Sequence, residues 1–243
     1  MIFFLSDLHL APTTPGANAL FFDFLAGPAR SAGQVFILGD LFDAWPGDDV
    51  LDDPATPLFA DIADALRKLT ATGTAVGLLH GNRDFLLGEA FAARSGGRLL
   101  ADPYILSLPS WQFVLSHGDM LCTGDRDYQR FRAMVRDGGW QSDFLARPLV
   151  ERQAIAAGLR ERSVSAKQEK TAALMDVDPL STDDFLRRNG YATLIHGHTH
   201  RPARHDHFVD GIHVERWVLA DWSETDGEYL CWDGERLVRR SIP

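Results

Sequence analysis

Five short blocks of potential metal ligands, each set just behind an apolar run, leave this chain few folds to choose from. They are Asp7-Leu8-His9, Gly39-Asp40-Leu41-Phe42-Asp43, Gly81-Asn82-Arg83-Asp84, His117-Gly118-Asp119 and Gly197-His198-Thr199-His200. Phe3-Phe4-Leu5, Val35-Phe36-Ile37-Leu38, Val114-Leu115 and Leu194-Ile195 precede four of them and read as strands, and a weaker run, Val76-Gly77-Leu78-Leu79, precedes the third. In open α/β sheets, ligands bind at the carboxyl ends of the strands, so donors scattered in sequence can converge in space. Asp, His and Asn together make an oxygen- and imidazole-rich set that suits two divalent ions better than a structural zinc.

The intervening segments agree with such a fold. Candidate helices at 17–30, 57–71 and 84–95 carry apolar residues at three-to-four spacing and alternate with strand-like runs at 34–38 and 74–79. That alternation predicts an α/β layered fold. Runs at 103–107 and 111–115, separated by Leu108-Pro109-Ser110, predict a hairpin. Residues 124–188 change character, being rich in Arg, Ala, Leu and Gln at helical spacing with few β-branched residues. They predict a cap of three or four helices inserted into a body made of 1–123 and 189–243. The β pattern returns at 192–196 and continues near 206–209, 212–219, 227–232 and 235–240.

Composition narrows the function classes. A chain of 243 residues can bury a full core without staples, and 45% hydrophobic with 24% charged residues is ordinary for a soluble globular protein. No run approaches the ~18 apolar residues of a membrane helix, and the first residues lack the basic region of a signal peptide, so a cytoplasmic protein is expected. Cys122 and Cys231 are too few for a disulfide framework and are expected to be buried filler in a reducing compartment. A net charge of −10 argues against binding nucleic acid through its phosphates. The charge is uneven: Arg126 to Lys170 holds ten Lys/Arg against six Asp/Glu, so that stretch carries +4 and the rest −14. A basic insert on an acidic body suggests a surface for an anionic substrate or a membrane.

Each block has a chemical reading. Asp7 and His9 are expected on one face of an extended segment, since side chains two apart point the same way. Asp40, ahead of an expected helix start, is the natural bridge between two ions. Asn82 adds a neutral ligand that leaves room for a phosphate's charge, and His117, His198 and His200 complete the set, with Gly197 allowing close backbone approach. Two ions ~3.5–4 Å apart clamp a phosphoryl group and generate hydroxide at neutral pH. The expected reaction is hydrolysis of a phosphoric ester or anhydride, a bridging hydroxide attacking phosphorus in line. Asp43, Asp84 and Asp119 either orient ligands or cap helices, and His80 and His196 could face either way.

The five blocks resemble those of the calcineurin-like metallophosphoesterase superfamily, D-x-H, G-D-x-x-D, G-N-H-[ED], H and G-H-x-H, over residues 1–117 and 192–243. The resemblance implies a sandwich of two mixed β-sheets flanked by helices. It implies one ion on Asp7, His9, Asp40 and His200, and a second on Asp40, Asn82, His117 and His198. Arg83 departs from the pattern, standing where the superfamily usually has a His that helps protonate an alcohol leaving group. Arg cannot release a proton at neutral pH, but it can hold a phosphate bidentately and offset developing charge. That suits a leaving group that departs as an anion, so the sequence leans toward a pyrophosphate.

Longer strings narrow the resemblance: Phe36 to Trp45, His80 to Gly88, His117 to Asp119 with Leu121-Cys122-Thr123, Tyr128-Gln129 with Phe131-Arg132, Met175-Asp176-Val177, and Ile195 to Ala203. They resemble the branch of the superfamily that hydrolyses UDP-2,3-diacylglucosamine in lipid A biosynthesis. The resemblance implies attack at the α-phosphorus, with UMP and 2,3-diacylglucosamine 1-phosphate as products and two Mn²⁺ per subunit. It gives Asn82, Arg83 and His198 catalytic roles and places substrate contacts on Asn82, Arg83, Asp125, Ser163, Lys167, Lys170 and His198. Lys167 departs from relatives that carry Asn, and Gly124 stands where an acidic residue can occur. Phe131, Met134, Val135, Trp140, Phe144, Leu145, Leu149, Ile155 and Leu159 offer the cap an apolar face for two acyl chains. With the cap's positive charge they suggest a peripheral position on the cytoplasmic face of the inner membrane. No nucleic-acid or obligate protein partner is expected. Two other readings stay open: a broader metallophosphodiesterase, and a metal-free scaffold that binds partners.

Overall fold

Parallel strands covered on both faces need continuous apolar runs, and the first third of the chain supplies them. In a computed structural model describing residues 1–169 and 176–242, with the side chains of 161–169 outside the description, these runs form one sheet. Strands β1 (Ile2–Leu5), β2 (Gln34–Leu38), β3 (Ala75–Leu79) and β4 (Arg98–Leu99) pair in parallel. β10 (Glu228–Trp232) and β11 (Leu237–Ser241) extend the sheet antiparallel beyond β1, giving the order β11-β10-β1-β2-β3-β4. Alternate side chains take opposite faces. Phe3, Leu5, Val35 and Ile37 pack under helices α1 (Pro15–Ala26), α2 (Leu58–Thr70) and α3 (Glu89–Ser95). Phe4, Phe36 and Leu38 face the other way, with Phe4 stacked on Phe36 at 5.6 Å.

That second face meets a second sheet of β5 (Tyr104–Ser107), β6 (Gln112–Ser116), β7 (Thr193–His196), β8 (Ala203–Val209) and β9 (Ile212–Val218), ordered β5-β6-β7-β9-β8. β6, β7 and β9 are parallel, while β5 and β8 close the edges antiparallel. Phe113, Leu115 and Ile195 fill the space between the sheets. Val114 and Leu194 point outward onto Phe185 and Leu186 of helix α7 (Pro179–Arg188). The result is the expected α/β sandwich of two mixed sheets flanked by helices. Cys122 and Cys231 are buried free thiols, and burial pushes the Cys122 thiol up to about 12.

Between β6 and β7 lie α4 (Arg126–Val135), α5 (Gly138–Leu145) and α6 (Leu149–Glu169), followed by α7. Asp125, Asp137 and Asp178 cap α4, α5 and α7, each carboxylate accepting a backbone N–H three residues on. Two helices are shorter than their apolar spacing predicts. α1 stops at Ala26 because Gly27 and Pro28 follow. α3 begins at Glu89, not 84, because Gly88 ahead of it is extended (φ −121°, ψ −172°). Among the described residues no helix is long and apolar enough to cross a membrane.

Candidate metal centre

The sheets deliver the five blocks to one edge, but the backbone at the donors is not extended. β1 ends at Leu5, and Asp7 and His9 lie beyond it with φ of 56° and 49°. The expectation that they share a face of an extended segment is therefore wrong. Asp40 (52°), His198 (69°) and His200 (53°) are also left-handed. No helix starts behind Asp40 either; Leu10 and Phe42 form a lone parallel bridge there. An L-residue in this region costs about 1 kcal/mol or more. Five such residues in one cluster mark a site whose surroundings over-determine the backbone. Gly197 and Gly81 are required for the approach of these loops. A Cβ at Gly197 would sit 2.2 Å from the Asp7 carboxylate, and one at Gly81 2.0 Å from that of Asp40.

The donors meet in two groups that share Asp7, Asp7–His9–His200 and Asp7–Asp40–His117, within which the ligand atoms lie within 4.8 Å of one another. In the first, His9 Nε2 lies 3.5 Å from His200 Nε2, and His200 Nε2 is 3.4 Å from Asp7 Oδ1. Asp40 reaches both sides, with Oδ2 3.9 Å from His9 Nδ1 and Oδ1 3.8 Å from His117 Nε2. Asn82 Oδ1 stands 3.1 Å from His117 Nε2 and 2.9 Å from His198 Nδ1. All seven sequence candidates are thus brought together. Asp7 Oδ1 is buried beside His200 Nε2, and the two imidazoles next to it turn nitrogen toward nitrogen. Atoms so arranged need a shared proton or a cation among them, and a carboxylate facing two imidazoles is a donor set that fits divalent metal.

Without metal the donors differ in protonation. Burial, with Asp84 and Asp7 nearby, pushes the Asp40 carboxyl up to about 7. Burial holds His9 and His198 down at about 3, lone pairs free at neutral pH. Burial opposes charge on His200, but hydrogen bonds to Asp221 and Asp7 outweigh it and raise the ring to about 9. Burial and the neighbouring Arg216 hold His196 at about 3.

Carboxylates and carbonyls around the donors set their orientation. His117 Nδ1–H donates to Leu38 O at 2.9 Å, leaving Nε2 to face the cluster. His200 Nδ1 is 3.0 Å from Asp221 Oδ2. Asp221 has no sequence signal: it follows no block and lies in a loop after β9. Asp84, buried completely, accepts backbone N–H bonds from Gly81 (2.8 Å), Asp40 (3.2 Å) and Leu41 (2.7 Å), tying the second block to the third. That decides for orientation over helix capping. Asp119 is equally buried and accepts from Tyr128 Oη (2.6 Å) and Arg132 Nε (2.8 Å) of α4. Arg136, just past the end of that helix, donates to Gly81 O at 3.0 Å. Asp43 pairs with Arg160 of α6 at 2.9 Å and lies 3.8 Å from His9. His80 turns away, its Nε2 2.7 Å from Leu87 O.

Between this cluster and helices α4 to α6 lies a cleft of about 650 Å³. It is lined by five of the donors, His9, Asp40, Asn82, His198 and His200, with Arg83 and Asp125, and by the apolar side chains of Phe85, Leu86, Phe131, Trp140, Phe144 and Leu159. Of the apolar cap residues singled out in the sequence, Phe131, Trp140, Phe144 and Leu159 line the cleft, and Leu149 and Ile155 pack on the body's core. Val135 is buried, and Met134 and Leu145 are exposed. The side chains of Ser163 and Lys167, and all of Lys170 and Met175, lie outside the described residues.

Comparison with known proteins agrees with this geometry. The family model for calcineurin-like phosphoesterases matches residues 1–202. A UDP-2,3-diacylglucosamine hydrolase of Aromatoleum aromaticum is 54% identical, the match covering 95% of this chain and 92% of the relative. Proteins of the same description from Chromohalobacter salexigens and Chromobacterium violaceum are 47% and 46% identical, covering 90% and 100% of this chain and 87% and 98% of theirs.

Proposed function

This chain belongs to the calcineurin-like phosphoesterase family, and we propose that within it the enzyme hydrolyses the pyrophosphate of UDP-2,3-diacylglucosamine to UMP and 2,3-diacylglucosamine 1-phosphate (lipid X), a step of lipid A biosynthesis. The observation that carries the reading is one cleft lined both by residues of the donor cluster with Arg83 and by apolar side chains of α4 to α6. Anionic phosphates and acyl chains on one molecule need both. Its volume lies within the ~300–1,000 Å³ usual for small-ligand sites.

In this proposal Asp7, His9, Asp40 and His200 hold one Mn²⁺ and Asp40, Asn82, His117 and His198 a second. Such ions, when bound, supply charge to draw in the phosphates and lower the pKa of water. The chain's own residues do the rest. Arg83 lines the cleft with its backbone N–H on Asp40 Oδ1 at 2.8 Å, so its guanidinium starts beside the cluster. Being permanently charged, it stabilises a departing phosphate and protonates nothing. Asn82 and His198 contact the phosphates beside it. Asp125, which caps α4 at the cleft wall, is a substrate contact, as are Ser163, Lys167 and Lys170. Residues 124–188 serve as the cap, and the apolar wall takes the acyl chains.

Turnover of the lipid nucleotide with Mn²⁺ in ¹⁸O-labelled water tests the reading. Attack on the α-phosphorus puts the label in UMP and leaves the lipid phosphate unlabelled. Label in the lipid phosphate moves the attack to the β-phosphorus, and turnover of simple phosphodiesters alone removes the lipid nucleotide as substrate.

The proposal extends to the membrane. Met134, Leu145 and Val150 stand 48%, 42% and 73% exposed on the cap, within or beside the stretch that carries +4. Such a face suits the anionic cytoplasmic leaflet of the inner membrane. Co-sedimentation with vesicles is expected to rise with anionic lipid and fall with salt; indifference to both removes the membrane reading.

A further inference from the structure

Behind the donor cluster a buried cation sits between two imidazoles. Arg216 on β9 is 7% exposed. Its Nη1 lies 3.1 Å from His196 Nε2 and its Nε donates to His207 Nε2 at 3.1 Å. His207, on β8, has its Nδ1 3.0 Å from Asp183 Oδ1 on α7. A guanidinium only donates, so both rings must offer a lone pair at Nε2 and carry their proton on Nδ1. For His207 that proton goes to Asp183. For His196 it goes to Gly197 O, 2.8 Å away. A row of four side chains therefore fixes one tautomer of a ring at the start of the Gly197-His198-Thr199-His200 block.

The His196 ring is wedged between two donor blocks. A Cβ at Gly118, the residue after His117, would meet His196 Nδ1 at 2.6 Å. Gly197 N–H donates to His117 O at 3.0 Å, and the His117 and His198 rings stand 5.1 Å apart. A buried guanidinium held by two neutral rings is costly to desolvate, and an apolar side chain between these strands would avoid that cost. What the row offers in return is a set distance between the His117 and His198 backbones.

We propose that Arg216 is a positioning residue: through His196 it sets the spacing of His117 and His198 and so tunes the affinity of the metal site they share. This rests on the metal-binding reading above, and the test separates the two. In the full-length protein held in Mg²⁺, ¹⁵N NMR of the His196 ring shows a neutral imidazole with its proton on Nδ1. Arg216→Met binds one of two Mn²⁺ about 10- to 100-fold more weakly, as loss of an outer partner of a metal ligand does. Its kcat returns at saturating Mn²⁺ with KM unchanged, which a merely structural role would not produce. His207→Leu leaves Arg216 in place with one acceptor fewer and weakens the same site several-fold; it decides the matter if Arg216→Met does not fold. A proton on Nε2 of wild-type His196 overturns the proposal, as does wild-type Mn²⁺ affinity in either folded variant. A wild-type protein that binds no Mn²⁺ overturns the metal reading instead, and the proton's position then still judges the row.

Discussion

Asp40→Asn lowers kcat by at least ~10³-fold and at the same time raises the melting temperature of the metal-free protein above pH 7. Asp40 is the donor that reaches both His9 and His117, and its loss removes the shared arm of both proposed metal sites. Metal stabilisation of phosphoryl transfer is worth several kcal/mol, hence three or more powers of ten. The opposite effect on stability follows from burial. The carboxyl is 1% exposed and is pushed up to about 7, above its ordinary 3.8. A carboxyl raised in the folded state resists ionising there, so the metal-free protein is penalised above pH 7 and recovers as pH falls from about 7 toward 4. Asn keeps an oxygen for the Arg83 N–H and carries no charge, so that dependence disappears. Melting curves in chelator at pH 8 and pH 5.5 check it. An Asp40→Asn protein less stable than wild type at pH 8 would show that the carboxylate is not strained in the apo fold.

Asp84→Ala costs about 3–5 kcal/mol of folding stability, a large loss for one side chain in a fold whose total is about 5–15 kcal/mol. The carboxylate, 0% exposed, collects the N–H groups of Gly81, Asp40 and Leu41 from two loops. Ala leaves these three buried donors, and the more weakly held Phe42 N–H, without an acceptor, each at about 1–3 kcal/mol before relaxation. Asp84→Asn loses less, since one acceptor oxygen remains. Urea unfolding with an unchanged m-value measures both. A loss under ~1 kcal/mol for the Ala variant would mean that the loops rebuild their hydrogen bonds elsewhere. Because the same N–H groups set the backbone of Asp40, kcat falls with stability even in the fraction that stays folded.

How far the site is legible in the sequence differs from residue to residue. The donors are legible because each follows an apolar run, and a run ending in Asp or His is a local signal. Arg83 is legible as a departure from a family pattern. The conformation of the donors is not. Alternation in a strand predicted that Asp7 and His9 share a face, whereas both are left-handed, a state imposed by contacts that include Asp7 N–H on Gly39 O and His9 N–H on Asp40 O. Asp84 looked as much like a helix cap as an orienting group, since a carboxylate before a helical pattern serves either purpose. Its partners, forty and more residues back, decide it.

Layers, strands and the seven candidate donors could be read along the chain, because periodicity and side-chain chemistry are properties of neighbours in sequence. Which candidate donors face one another, and which groups hold them there, emerges from the folded chain. Asp221 meets His200 from a loop after β9, and Arg216 meets His196 across paired strands. Such partners are chosen by distance and direction between segments far apart in sequence. A hydrogen bond of this kind needs one donor and one acceptor in the right place and repeats nowhere, so it leaves no period to read.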